Sequence, residues 1–578
     1  MARELQERLR IRGRLVALTP LHVGGLGSHF DTDLPLARDG QHRLVVPGTS
    51  LAGAMRAWCE MAFPQVKKDT KDAGAPENLG WNVVKALWGL RRQDDREAKE
   101  AGDDAGHASY ILIEDARVEL PNGAVVEVRD HVGIDRVLGA ASERIKFDRA
   151  VLPRGTTLHL MMEVELPKRH DVKGSEVVEE LPKRAGAVVG QLLRALQAGE
   201  IGIGAARTRG LGRVKLEGLA IERFECGERA SLLALLRGDA PEQKPITDQK
   251  LRQREPSLTP QSSPRLTFKI TWVPVGPLMV KAGFDGMGVD SLPLTSAMGD
   301  GRCALVLPGS SVKGALRGRA ELIVRTVLGA AAGQRGEMEK TGGKRKDQRQ
   351  RFIDHLQVPL VRELFGTPGE SAARAEERGD DDVPDEEPLL GRSALAVDDC
   401  YASQTTPHER WREVIKADFL TLVRRPWDGV GPALKPTVHV AIDRWTGGAA
   451  DQLLYSVLEP HDVGWEVLRL DLDLARVPAG KHEAVAALLL LTLQELVLGR
   501  LPLGFGTMRG MGALSVEHIT VSGQGLGGLL EPLNGTLTWG DEKEPLASEL
   551  AQRLKTLREP WLDWITEARQ SKAREASP

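Results

Sequence analysis

Two stretches of this chain repeat one another, and the repeat limits what the chain can fold into. Leu44 to Arg56 reads LVVPGTSLAGAMR, and Leu305 to Arg317 reads LVLPGSSVKGALR. In each, an apolar run ends in a Pro-Gly turn, Thr49-Ser50 or Ser310-Ser311 follows, and a helical pattern begins. Ser and Thr cap helix starts by accepting backbone N–H bonds. The spacing therefore predicts a strand, a turn and a helix, with Ser50 and Ser311 at the helix entry. Free N–H groups and the positive end of the helix dipole would make that entry a seat for phosphate. A capped joint with no ligand is the other reading, and it is the better one for a single copy. Two copies, each followed by matching motifs, shift the weight toward a ligand.

The matches extend along the chain in one order. Pro20–Val23 (PLHV) matches Pro277–Val280 (PLMV), and Leu34–Leu36 matches Leu292–Leu294, both LPL. Beyond the Pro-Gly helix, LWG at Leu87–Gly89 matches LFG at Leu364–Gly366, and GIDR at Gly133–Arg136 matches AIDR at Ala441–Arg444. Ile203–Val214 (IGAARTRGLGRV) matches Leu503–Leu514 (LGFGTMRGMGAL), which puts Arg209 in register with Arg509. The offset between copies is 261 residues from Pro47 to Pro308 and 308 from Gly133 to Ala441, so the second copy carries an insertion. Composition shows where: KRKDQRQR at Lys344–Arg351 and EERGDDDVPDEE at Glu376–Glu387 are charge blocks typical of solvated loops, with a smaller counterpart at Arg91–His107.

Residues 239–265 are polar and Pro-rich and read as a linker. The domains are then 1–238, the linker 239–265, a second domain 266–522 with its charged insertion near 330–390, and a Gly-rich break with a helical tail at 523–578. Each copy alternates strand patterns (Leu9–Leu18, Thr157–Val164; Arg265–Val273, Trp465–Leu472) with helical ones (Ala185–Ala198; Glu483–Leu498). The expected fold is α+β, two tandem ferredoxin-like units, like the RNA-recognition motif, with insertions.

With 578 residues, more than one core is expected. The net charge of −3 excludes a generic polycation, so any nucleic-acid site must come from local clustering of the 78 Lys and Arg. Aromatics make up 4%, with three Tyr, which argues against a binder built on base-stacking platforms. Cys59, Cys226, Cys303 and Cys400 stand apart, so neither a zinc ribbon nor a disulfide framework is expected, and a reducing cytoplasmic setting fits. The longest apolar run, Val485–Leu493, is short and is followed by Gln494 and Glu495; it reads as a buried helix, and no membrane association is expected.

The ordered set of PLHVGG, D-L-P-L, PG[TS]S-xx-GAxR, L[WF]G, IDR and a Gly-Arg-Gly segment, present twice, resembles the backbone subunits of type III CRISPR–Cas effector complexes, in the RAMP (repeat-associated mysterious protein) superfamily. The resemblance covers most of residues 9–216 and 266–516. A tandem fusion resembles the two-unit subunits of type III-D variants. The resemblance implies units stacked along a guide RNA (crRNA), other effector subunits as partners, and a β-hairpin thumb that kinks pairing with a target RNA. It also implies, for some members, cleavage of the target opposite each thumb by an aspartate and a divalent metal such as Mg²⁺, with no organic cofactor.

On this reading Arg207, Arg209, Arg213 and Arg509 in the Gly-rich segments are phosphate partners, against a Gly-rich corner with solvated arginines. Backbone reading suits a protein that leaves sequence choice to base pairing. Arg56, Lys313 and Arg317, on the helix after the Pro-Gly turn, are further phosphate candidates, against an ordinary surface face. Arg136 and Arg444, in the thumb region, belong to Asp–Arg pairs that either flank a base-wedging apolar residue or organise a loop internally. His131 and His439 are read as structural or solvated, and the histidines as not recurring between copies. Asp33, in D-L-P, is the first choice for the cutting and metal-binding aspartate, with Asp31 second. The second copy's loop is one residue longer, so Asp290, its metal candidate, is expected one position away from Asp33's place, with Asp285 the other choice. A lone aspartate is otherwise a turn residue. The alternatives are a non-cutting guide-RNA scaffold, a precursor-processing RAMP endonuclease, which would commonly use histidine, and an assembly protein independent of nucleic acid.

Overall fold

A computed structural model describes residues 4–25, 32–65, 78–89, 107–135, 139–170, 177–241, 245–329, 356–367, 393–424, 431–540 and 545–575. The charge blocks at 344–351 and 376–387 and most of 91–107 lie outside the described residues.

The central strand of the first unit shows why its sheet forms. β1 (Leu5–Ala17) alternates, with Leu9, Ile11 and Leu15 fully buried on one face. Arg8 and Arg10 on the other face pair with Glu163, so that face is covered by cross-strand ion pairs. The core runs β1, α1 (Gly48–Ala62), β2 (Ile111–Ile113), then a projecting hairpin of β3 (Glu127–Ile134) and β4 (Ala141–Val151), then β5 (Thr157–Pro167), α2 (Leu181–Ala198) and β6 (Val214–Glu225). Neighbouring strands are antiparallel in the order β2-β5-β1-β6. With the hairpin set aside this is βαββαβ, the ferredoxin-like topology. Helix α1 buries Leu51, Met55, Trp58, Cys59 and Ala62, spaced as one helical stripe, against the sheet.

The second unit repeats this. β7 (Arg265–Pro274), α3 (Gly309–Leu328), β8 (Leu395–Val397), the hairpin β9 (Ala433–Ile442) and β10 (Ala449–His461), β11 (Leu468–Asp473), α4 (His482–Val497) and β12 (Leu514–Gln524) follow in order, with the sheet β8-β11-β7-β12. Pro47 and Pro308 both sit at the entry of the first helix, and Arg209 and Arg509 both close a single 3₁₀ turn. The tandem ferredoxin-like reading therefore stands.

Two boundaries differ from expectation. Residues 246–261 fold onto the first unit instead of running free: Ile246 bridges to Ile221, the Gln261 N–H donates to the Ala62 carbonyl, and between them a short helix at Asp248–Arg252, capped by Thr247, packs on α2 with Leu251 fully buried. Gly190 permits that approach, since a Cβ there would lie 2.8 Å from the Asp248 carbonyl. The chain does not break at 523 either. β12 continues to Gln524, and β13 (Gly535–Trp539) pairs with it, with Trp539 fully buried. Helices at Leu546–Thr556 and Arg558–Glu575 then cover α4. Among the described residues no helix is long and apolar enough to cross a membrane.

Candidate functional site

At the two Pro-Gly turns the helices begin on the glycine, with Pro47 and Pro308 as N-cap residues and no side-chain cap from Ser or Thr. The Ser50 and Ser311 N–H groups donate to the Pro47 and Pro308 carbonyls, 2.9 Å each. The capping expectation is thus corrected. The anion at each entry comes from the loop after the second core strand: Asp115 accepts from Gly48 N–H and Asp399 from Gly309 N–H, both at 2.8 Å. A carboxylate of the chain itself occupies the proposed phosphate seat. Glycine is required because a Cβ at Gly48 or Gly309 would lie 2.2 or 2.1 Å from the Ile113 or Val397 carbonyl.

Arg56 and Arg317 are likewise directed inward. Arg56 donates to the carbonyls of Trp88 (3.3 Å) and Gly89 (3.1 Å) and pairs with Glu60. Arg317 donates to Gly366 (2.9 Å) and Leu356 (3.0 Å) and pairs with Glu321. Both hold the L[WF]G motif in place through its carbonyls, and Arg317 also lines the interunit cleft.

The Gly-Arg segment of the first unit is the joint between units. Arg213 pairs with Asp398 of the second unit, and Arg207 donates to its own neighbour Gly202 at 3.0 Å. Lys313, from α3 of the second unit, is buried and donates to Thr208 (3.0 Å) and Leu395 (2.8 Å). Burial, then Arg209, pulls its pKa well below the ordinary lysine value. Lys313 is therefore an interunit strut. Beside it, Arg129 from β3 pairs with Asp399 and, at 3.1 Å, with Glu127. Burial opposes its charge, but Asp399 and Glu127 outweigh that and raise its pKa. Glu127 in turn accepts from Ser296 and Ala297, 2.8 Å each. In the second unit the corresponding turn is open: a Cβ at Gly510 would meet nothing within 4 Å among the described residues, whereas at Gly210 it would strike Asp399. Met508 there is 97% exposed.

Between the units lies a cleft of about 1670 Å³ lined by Arg129, His131, Phe147, Arg149, Arg209 and Lys313 among others. Arg209 is exposed. Arg509, its counterpart, rests on Tyr455, with its guanidinium carbon 5.1 Å from the ring centre and a hydrogen bond to the phenol oxygen.

The two candidate aspartates occupy one and the same place. The Asp33 carboxylate accepts from the Asp148 N–H (2.9 Å), and the Asp148 carboxylate accepts from the Asp33 N–H (2.7 Å). In the second unit Asp290 accepts from the Ser456 N–H (2.7 Å) and hydroxyl (2.9 Å), and Ser456 Oγ accepts from the Asp290 N–H (3.1 Å). Parallel bridges follow at Leu34–Arg149 and Ser291–Val457, and antiparallel ones at Gly24–Leu36 and Lys281–Pro293. The loops therefore keep one register, and the expected one-residue displacement of Asp290 is corrected. The LPL match is out of step by one, and the extra length falls after Asp290. Bonds from the Ser456 N–H and hydroxyl lower the Asp290 pKa. Both aspartates are exposed. Asp285 pairs with Lys281 at 3.3 Å, and Asp31 lies outside the described residues.

No group of three or more His, Cys, Asp or Glu side chains converges among the described residues. Asp33 with Asp148, or Asp290 with Ser456, still fits Mg²⁺, which keeps waters and takes one or two carboxylates beside phosphate oxygens.

In the projecting hairpins, His131 stacks on Phe147 (ring centres 5.0 Å apart) and His439 on Tyr455 (5.1 Å). Both pairs are directly opposed across their hairpins. These histidines do recur, contrary to the sequence reading, and are structural. Burial, then Arg149 and Arg209, pulls His131 down to about 4. Asp443 accepts from the Trp445 N–H at 2.8 Å in the hairpin-tip turn, and Arg444 is exposed, so the second copy has no buried Asp–Arg pair. Trp445 is 95% exposed, beside exposed Ile442 and Val440. Arg136 lies outside the described residues.

Asp115, Asp399, Asp148 and Ser456 escaped the sequence reading. The aligned loops IEDA (113–116) and VDDC (397–400) carried a signal for the first two. The matching offset of 308 at IDR, carried onward, would have aligned Asp148 with Ser456 and His131 with His439.

A profile described as the RAMP superfamily matches residues 14–215 and 275–515, more than half of the chain. The chain is also similar to the CRISPR system Cms endoribonuclease Csm3 of Methanocaldococcus jannaschii, 25% identical over 138 residues. The match covers 23% of this chain, and it spans about half of that relative, 54% of its length.

Proposed function

This chain belongs to the RAMP superfamily, and we propose that it is a guide-RNA-binding backbone subunit of a type III CRISPR effector complex, a tandem fusion of the type III-D kind, that cuts complementary target RNA. The observation that carries this is the duplicated site: Asp33 and Asp290 are held at the base of two equivalent thumbs, each with a Gly-Arg turn ending in Arg209 or Arg509. A repeated site suits a ligand that repeats, and an RNA strand presents the same phosphodiester at every step. The partial likeness to a protein named an endoribonuclease points the same way.

A bound divalent metal would supply Lewis-acid stabilisation of charge on the phosphate. The protein's part is positioning. Asp33 and Asp290 each keep carboxylate oxygen capacity beyond the thumb bond, and the thumb backbone fixes where that oxygen sits. A kinked target that aligns its own 2′-OH with the phosphate needs no strong protein base. The exposed Ile442 and Trp445 are suited to wedge the target apart at the second thumb.

The thumb bonds also favour a second reading, in which Asp33 and Asp290 only anchor the thumbs and the protein is a non-cutting scaffold. Mapping target cleavage in the assembled complex, with Mg²⁺ or EDTA, separates the two. Asp33→Ala should remove one product band and Asp290→Ala another, with target binding retained. Persistence of both bands in the double variant would refute cleavage at this loop, and loss of target binding would favour the anchoring role.

A further inference from the structure

We propose that Arg149, with Arg209 lining the same cleft nearby, forms an anion pocket of the first unit that takes one phosphodiester group of an RNA strand. This rests on the RNA-binding reading above. Arg149 lies on β4, immediately after Asp148, and is 8% exposed. Among the described residues its Nε and Nη1 have no hydrogen-bond partner. Its guanidinium carbon lies 5.9 Å from the Phe147 ring centre. Arg129, close by, is neutralised by Asp399 and Glu127. Among the described residues no such carboxylate pairs with Arg149, and burial and the nearby Arg209 both work against its charge. The histidine on the same hairpin, His131, also has an Nε2 without a partner among the described residues.

A guanidinium does not escape burial by losing its proton. A buried, unpaired cation is costly unless an anion completes it. Here the open side is the interunit cleft that Arg149 and Arg209 both line, and a phosphodiester offers acceptor oxygens suited to both guanidiniums. The second unit lacks the device. Val457 occupies Arg149's place and is fully buried with Met279 and Met511, as the equivalent bridges Leu34–Arg149 and Ser291–Val457 show. The pocket therefore belongs to one junction and marks the first unit as electrostatically distinct from the second.

The test compares the wild-type chain with Arg149→Met, which keeps the stem and removes the charge, and with Arg149→Lys. Binding of a single-stranded RNA, alone and after annealing a complementary strand, is measured across salt concentration, alongside thermal unfolding without RNA. Arg149→Met should raise Tm, because it removes an unpaired buried charge, while weakening RNA binding about tenfold or more. The salt dependence should fall by the equivalent of one phosphate contact, about 0.7 in slope for a single strand. Arg149→Lys should retain part of the affinity. A loss seen with the single strand assigns the phosphate to the guide, and a loss seen only for the annealed strand assigns it to the target. A lower Tm in Arg149→Met, or unchanged affinity and slope while wild type binds, overturns the pocket. Failure of wild type to bind RNA at all overturns the RNA reading and the pocket with it.

Discussion

Asp399 is the residue on which the two units are predicted to depend as one body, and Asp115 is its built-in control. Each carboxylate accepts from the first N–H of an equivalent helix at 2.8 Å. Loss of such a cap costs about 1 kcal/mol, so Asp115→Ala should destabilise by about that much. Asp399 carries a second duty. Its side chain is fully buried and pairs with Arg129, itself 5% exposed, from the other unit. Removing one partner of a buried pair costs about 3–5 kcal/mol because a charge is left behind. Glu127 remains 3.1 Å from Arg129, which places the expectation for Asp399→Ala near the lower end, about 3 kcal/mol. Urea unfolding of the two single variants, of Arg129→Ala and of the Arg129→Ala, Asp399→Ala double variant measures both terms. The pair should show a coupling of about 1 kcal/mol or more. Equal costs for Asp115→Ala and Asp399→Ala, with additive behaviour in the double variant, would refute the claim that this buried bridge joins the units.

Arg56→Met and Arg317→Met should each lower stability by about 1.5–3 kcal/mol, the worth of charged hydrogen bonds to carbonyls, while RNA retention per folded molecule stays unchanged; a selective loss of RNA would return them to the phosphate-binding set. Arg209→Ala with Arg509→Ala should weaken retention alike for guides of unrelated sequence, checked by filter binding, since phosphate contacts carry no sequence information. His131 is held near 4, below the ordinary histidine value, so the unfolded chain takes up the proton first. Stability should therefore fall as pH drops from about 6.5 to 4, by up to about 1.4 kcal/mol per pH unit, and His131→Phe should flatten that part of the Tm–pH profile. Arg149→Met should make that fall smaller and end it at a higher pH, because without the Arg149 charge His131 is easier to protonate in the folded state.

The duplication, the ferredoxin-like order and the pairing of Arg209 with Arg509 were legible without coordinates, because strand alternation, helical stripes and Pro-Gly turns are local and recur in order. Local pattern also placed Asp33 and Asp290 among the candidates. It misplaced Asp290 by one residue because LPL is a short apolar match, and apolar identity does not determine register. Register came from the thumb strand, where Asp148 and Ser456 fix the loops by backbone hydrogen bonds from residues far along the chain.

The helix caps failed for the same reason. Ser50 and Ser311 have the right chemistry at the right local spacing, yet Asp115 and Asp399 are brought to those helix starts by the strand lying beneath them. Direction was equally invisible: Arg56, Arg317 and Lys313 read as a basic face, but carbonyls left at the L[WF]G motif and at the joint between units draw them inward. The sequence by itself determined which elements exist, that they exist twice, and which residue types gather near each turn, since these depend on neighbours within a few residues. Only the tertiary structure decided which of those charges meet one another and which, like Arg209 and the buried Arg149, are left facing the cleft, because that depends on which distant carboxylates and carbonyls the packing delivers.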